Sequence, residues 1–127
     1  NIGQGGGTLY VNTDIVNEII ETVNYLLKKH PVLYSTNKQL VKNRFNLKEL
    51  NLKRGMFCYL LFNGSECIYC GISKGVRNRL LSHKKNKEFD YIVLFEFNNS
   101  MYWRQSEKVI IKSLMPTYNI LYNLSKK

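Results

Sequence analysis

Long apolar runs are missing from this chain of 127 residues. None reaches the roughly 18–20 residues that a membrane-spanning helix requires, and none has the order of a signal peptide. A membrane partner is therefore not expected, and the cytoplasm is, with the nucleoid as the anionic surface at hand. Acidic residues are scarce: nine Asp and Glu stand against nineteen Lys and Arg, a formal net charge of +10. Residues 1–55 hold eight basic and four acidic residues, and residues 56–127 eleven and five, so the excess is not confined to a tail. Such a balance favours an anionic partner, nucleic acid before an anionic membrane, although solubility alone is the plainer reading. Cysteine occurs three times (Cys58, Cys67, Cys70), and no second Cys/His pair lies nearby, which argues against a zinc finger. Cys67 and Cys70 spell C-x-x-C, but on a regular strand residues three apart face opposite ways, so core cysteines are expected. No internal repeat is present, and no low-complexity segment follows residue 7.

What is there suits one core with an appendage. Residues 1–7, NIGQGGG, read as a flexible glycine-rich segment. Residues 8–54 read as a helical extension. From Thr13 or Asp14, Ile15, Ile19, Ile20, Val23, Leu26 and Leu27 recur at helical spacing, and Lys28, Lys29 and Pro31 mark the end. His30 belongs to that helix end. Thr36 and Gln39 stand at capping-box spacing, which predicts a short helix through about Arg44, with a further turn from Asn46. Two short basic helices suggest a helix-turn-helix, with Lys38, Lys42 and Arg44 as nucleic-acid contacts. The alternatives are a solvated face, or an association surface on residues 8–54 for a second copy or a partner protein.

Residues 55–127 read as a second unit, rich in strands. Met56–Phe62 and Glu66–Gly71 flank Asn63-Gly64, a strong hairpin signal because both residues tolerate positive φ. A helix carrying Arg79 and His83 follows, then a strand over 88–97, then a helix from the Asn98-Asn99-Ser100 turn to about Leu114, stopped by Pro116. Its apolar stripe (Trp103, Ile110, Ile111, Leu114) is interrupted by Glu107. A carboxylate on a core face costs on the order of several kcal/mol unless paired or bound to metal. Either it reaches water or an arginine, or it is a ligand for Mg²⁺ or Mn²⁺, ions that often take one or two protein carboxylates. Arg79 and His83, four apart, share a helix face. An arginine there suits a phosphate, with Arg77 as its competitor and a plain surface charge as its alternative.

Tyr59, Tyr69-Cys70-Gly71, Arg79 and His83, followed by Glu107 and Pro116-Thr117-Tyr118-Asn119, resemble the GIY-YIG nuclease family in order and spacing. The resemblance covers about residues 55–123. It implies a small α/β (α+β) domain with a central three-stranded, mostly antiparallel sheet flanked by helices. It also implies a divalent-metal-dependent DNA endonuclease from a mobile element, phage, restriction or defence system, leaving a 5′-phosphate and a 3′-hydroxyl. Tyr59, with Tyr69 and His83, would activate water as a phenolate favoured by Arg79 and the metal. Arg79 would hold the phosphate, Glu107 the Mg²⁺, and Asn119 the geometry. Lys74, Arg77 and Lys84 would add contacts to DNA. The sequence departs where Phe57-Cys58 replaces Gly-Ile and Cys70 replaces Ile, and Phe57, bulkier than glycine, would alter access to the site. The rival expectation is a nucleic-acid-binding module that does not cleave.

Overall fold

The computed structural model describes residues 13–30, 33, 37–42 (as backbone) and 52–120. In chain order the elements are α1 (Thr13–Lys29), β1 (Asn37–Lys42), β2 (Met56–Asn63), β3 (Glu66–Ser73), α2 (Val76–His83), β4 (Tyr91–Phe97) and α3 (Ser100–Leu114). The chain is α+β. An antiparallel sheet of β4, β2 and β3 carries β1 on its outer side, in the order β1-β4-β2-β3.

The sheet divides the core because side chains alternate along each strand. From the central strand, Cys58, Leu60 and Phe62 join Val93, Phe95 and Phe97 on one face, where α1 (Ile19, Leu26) and α3 (Trp103, Ile110) cover them. Phe57, Tyr59 and Leu61 join Ile92 and Leu94 on the other, under Val76 and Leu80 of α2. Burial on both faces explains why β2 and β4 read as nearly continuous apolar runs. The hairpin turn places Gly64 at φ +62°, and its N–H donates to Asp90 Oδ2 at 3.0 Å. Asp90 thereby belongs to the turn, and the fourth strand starts at Tyr91, later than the expected 88. Asn99 caps α3 by accepting from the Tyr102 N–H. On α1 the apolar face packs as the spacing implies, except Ile20, which is exposed. His30 Nε2 and Ser113 Oγ lie 3.0 Å apart, tying the ends of α1 and α3 together.

Two expectations are overturned. The predicted short helix from Thr36 to about Arg44 does not form over Asn37–Lys42, which is a strand paired antiparallel with Tyr91–Glu96 of β4. A helix-turn-helix there is excluded with it. A strand draws its hydrogen bonds from a remote partner, so local capping spacing carries no information about it. Arg44, the turn from Asn46, and the expectations for 1–12 and 121–127 lie outside the described residues. The second correction concerns the cysteines. The register shifts between Leu61, opposite Tyr69, and Phe62, opposite Cys67, so that Ile68 is a bulge residue. The bulge brings Cys67 and Cys70 to the same face, where Cys58 Sγ lies 3.7 Å from Cys70 Sγ. All three are free and buried, as expected of core cysteines.

Trp103 ties α3 to the central strand, donating from Nε1 to the Phe57 carbonyl oxygen at 2.9 Å inside the core. Trp103→Phe keeps most of the apolar area but removes the donor. It is expected to lower stability by about 1–3 kcal/mol in urea denaturation.

Candidate active site at the edge of the sheet

Tyr59 stands in the middle of β2, with no exposed surface, directly opposite Gly71 of β3. A Cβ on Gly71 would fall 2.7 Å from Tyr59 Oη and 2.8 Å from its Cζ, so the tyrosine ring lies where a side chain at 71 would be. Tyr69, two residues along β3, flanks the same space, its ring centroid 6.0 Å from that of Tyr59. The last residue of α2, His83, closes over both: its Nε2 lies 2.8 Å from Tyr59 Oη, and its ring centroid is 4.6 Å from that of Tyr69. Arg79, one turn earlier on α2, interacts with the hydroxyls of both tyrosines and is otherwise exposed.

α3 supplies Glu107 from the other side of β3. It sits half-buried at the margin of the Trp103–Ile110 stripe and accepts a hydrogen bond from the Ile72 backbone. Asn119, in the helical turn 117–120, is buried. Its Oδ1 accepts from the Cys70 N–H at 2.8 Å, and its Nδ2 donates to the Cys70 carbonyl at 3.0 Å. The residue between Tyr69 and Gly71 is thus gripped at both backbone groups. Tyr59, Tyr69, Arg79, His83, Glu107 and Asn119 all converge on this end of β2 and β3.

The lysines and the second arginine are dispersed. Arg77 lines a separate cavity of about 150 Å³ with Arg54 and Gly75, so of the two arginines on α2 it is Arg79 that meets the tyrosines. Lys74 Nζ stands 5.7 Å from the Trp103 ring centroid, and Lys84 borders a groove beyond Tyr69. Lys38 and Lys42 lie on β1, three strand spacings from β3, or about 14 Å. Phe57, which stands at the glycine position of the first motif, is buried in the α2-side core, its ring 3.4 Å from where a Cβ of Gly55 would stand. Sequence reasoning missed Lys87. Its ammonium lies 5.1 Å from the ring centroids of both Tyr69 and Tyr118, a placement without any sequence signature.

Electrostatics at the site are governed by burial. Desolvation, seconded by Tyr69, pushes the Tyr59 phenol well above its ordinary value and outweighs the opposing effect of Arg79. The phenolate that the resemblance implies depends on a metal ion as well as on Arg79; with these protein groups alone, Tyr59 is neutral at pH 7. Burial raises Tyr69 as well. His83 is lowered to about 4 by desolvation, then by the positive charges of Lys87 and Arg79. It is a neutral imidazole at pH 7, with Nε2 at the Tyr59 hydroxyl. Desolvation raises the Glu107 carboxyl against the pull of the Ile72 hydrogen bond and of Lys108. No cluster of three or more His, Cys, Asp or Glu side chains able to hold a metal occurs among the described residues. The donor set nevertheless fits Mg²⁺ in its one-carboxylate form. Glu107 is a desolvated carboxylate that a cation would favour, and water and phosphate oxygens suffice for the remaining positions.

Two measurements check this geometry. In the unfolded chain His83 takes up a proton near pH 6.5, whereas in the folded one it does so near 4. Between these values the unfolded state binds more protons, so stability falls as pH drops from 6.5 towards 4 and His83 adds no pH dependence above that window. Denaturation curves of His83→Gln should show a weaker decline there than wild type. Gly71→Ala, which forces the Tyr59 ring aside, should raise the His83 pKa in an NMR titration by opening its surroundings to water. No protein-family model, curated protein or solved structure matches the chain.

Proposed function

We propose that the chain is a divalent-metal-dependent DNA endonuclease of the GIY-YIG type. The observation that carries this reading is the contact of 2.8 Å between a fully buried tyrosine and a neutral histidine, with an arginine at the same phenol. A buried Tyr–His pair alone is a common core feature. One in which an exposed arginine also reaches both tyrosines has the parts needed to handle a phosphodiester: a proton acceptor and a fixed cation beside open solvent.

The chain's residues divide the work as follows. The Arg79 guanidinium offers a planar fork of donors to the non-bridging oxygens and holds the phosphate against Tyr69. Water attacks phosphorus in line with the 3′ oxygen. It gives a proton to Tyr59 Oη as that phenol passes its own to His83 Nε2, so no free phenolate is required. The P–O3′ bond breaks, the 3′ oxygen takes a proton from bulk water, the 5′-phosphate remains on the other fragment, and His83 then releases its proton to solvent. Arrival of the anionic phosphate makes His83 a better base than it is in the empty site. Asn119 acts through the backbone it grips and is a positioning residue. A divalent ion held by Glu107 would supply further positive charge to the phosphate and the departing oxygen. Origin in a mobile element, phage, restriction or defence system belongs to the same proposal.

Plasmid DNA with Mg²⁺ is the test. Wild type is expected to nick or linearise it, and EDTA to abolish cleavage. Glu107→Ala and His83→Ala should each lower the rate by about 10²–10⁴-fold, and Arg79→Lys by about 10²–10³-fold, with DNA binding retained. The acid limb of the rate profile should lie below pH 6.5, because His83 keeps its neutral form until the pH falls towards about 4. Salt-sensitive binding without cleavage at any metal concentration would replace the enzyme with a binding module, for which the charge of +10 is sufficient.

A further inference from the structure

Past Tyr69 an open groove of about 610 Å³ runs along the end of the sheet, and no step of the proposed reaction uses it. One wall comes from the hairpin, with Glu66, and another from the segment after α2, with Lys84, Lys85 and Lys87. The turn 117–120 closes it with Thr117 and Tyr118. Two carboxylates border the groove, Glu66 and Glu88, and Glu66 already accepts from Thr117 Oγ1 at 3.3 Å. Lys84 and Lys85 are exposed. Lys87 is half-buried, and its position is built.

Its backbone N–H donates to the His83 carbonyl at 2.9 Å, which anchors the chain at the end of α2. Its ammonium donates to Asn86 Oδ1 at 3.2 Å and stands 5.1 Å from the centroids of Tyr69 and of Tyr118. A lysine side chain ordinarily retains about 2 kcal/mol of rotamer freedom. Two flanking rings remove much of that freedom before any ligand arrives, and their faces attract the cation. The cation is also partly stripped of water and feels the charge of Arg79, and both effects lower its pKa. A desolvated ammonium close to a second cation favours an anion between or beside them. Arg79 meets the Tyr69 hydroxyl and Lys87 stands over its ring, so the two cations attend one tyrosine.

We propose that this groove binds the phosphate backbone of a nucleic acid next to the reacting phosphodiester, with Lys87 as the phosphate contact and the Tyr69 and Tyr118 rings holding its ammonium in place. The proposal rests on the nuclease reading for what occupies Arg79. The groove's own charge and the two-ring setting of Lys87 supply the rest.

The experiment is a salt series of fluorescence anisotropy with a short labelled DNA duplex in EDTA, where cleavage plays no part. Each phosphate neutralised contributes about −0.9 to the slope of log K against log salt. Lys87→Gln is expected to weaken binding at low salt and to reduce the steepness of that slope by about 1, whereas Lys87→Arg keeps it. Lys28→Gln, an exposed position on α1 at the opposite face of the sheet, should leave the slope unchanged. Tyr118→Leu removes a ring and no charge, and is expected to weaken binding two- to five-fold at unchanged slope. A wild-type slope in Lys87→Gln, an equal loss in Lys28→Gln, or full affinity in Tyr118→Leu would overturn the proposal. Parallel plasmid cleavage by wild type keeps the two readings apart. If DNA is cut but the Lys87→Gln slope is unchanged, the groove fails alone. If DNA is not cut and the slope drops, the nuclease reading fails and the groove stands.

Discussion

The ring of Tyr59 occupies the space that any side chain at Gly71 would need, and the rest of the sheet edge is arranged around that substitution of one residue's volume for another's. Pairing across β2 and β3 puts the two positions face to face, so the tyrosine, itself part of the α2-side core, lies over the neighbouring strand. Its hydroxyl is thereby delivered to the end of α2, where His83 meets it and Arg79 reaches it from one turn away. Asn119 holds the strand on the other side by both backbone groups of Cys70. Movement of β3 by a fraction of an ångström would disturb every one of these contacts together.

Burial at this edge has opposite effects on two partners and so sorts their proton states. Desolvation raises a phenol and lowers an imidazole, because in each case the neutral form is favoured. Tyr59 consequently keeps its proton, His83 lacks its second one, and the bond between them joins two neutral groups. The cations at the rim, Arg79 and Lys87, reinforce the neutrality of His83 without entering its contact with Tyr59. A site poised in this way stores no charge at its centre until an anionic ligand supplies one.

Much of this was legible in the sequence where the determinants are local. Asn63-Gly64 between two β-prone runs marked the hairpin, and the interruption of the α3 stripe singled out Glu107. What stayed hidden depends on residues far apart. The segment leading into Asn37–Lys42 has a helix-like start in its sequence, but the strand pairs with β4, 49 to 59 positions on. The bulge at Ile68 is a mismatch in length between two strands, and no single residue announces it; the alternation rule for Cys67 and Cys70 failed for that reason. Lys87 looks like any surface lysine until Tyr69 and Tyr118 close around it. The dry surroundings that raise the Tyr59 phenol are hidden in the same way, since the sequence shows a neighbouring arginine but not the burial around it.

The grip of Asn119 on Cys70 also bears on how the protein behaves in a crowd of its own kind. Among the described residues β3 is the last strand of the sheet on its side, and an edge strand offers a ladder of donors and acceptors to any extended chain that drifts alongside. At Cys70 that ladder is already taken up by a side-chain amide, which mimics one rung of a neighbouring strand but cannot continue as a second. The bulge two residues earlier breaks the regular repeat that an incoming strand would have to match. The contact that holds the backbone at Cys70 thus also caps the sheet, so strand-by-strand growth into aggregates is discouraged at this edge.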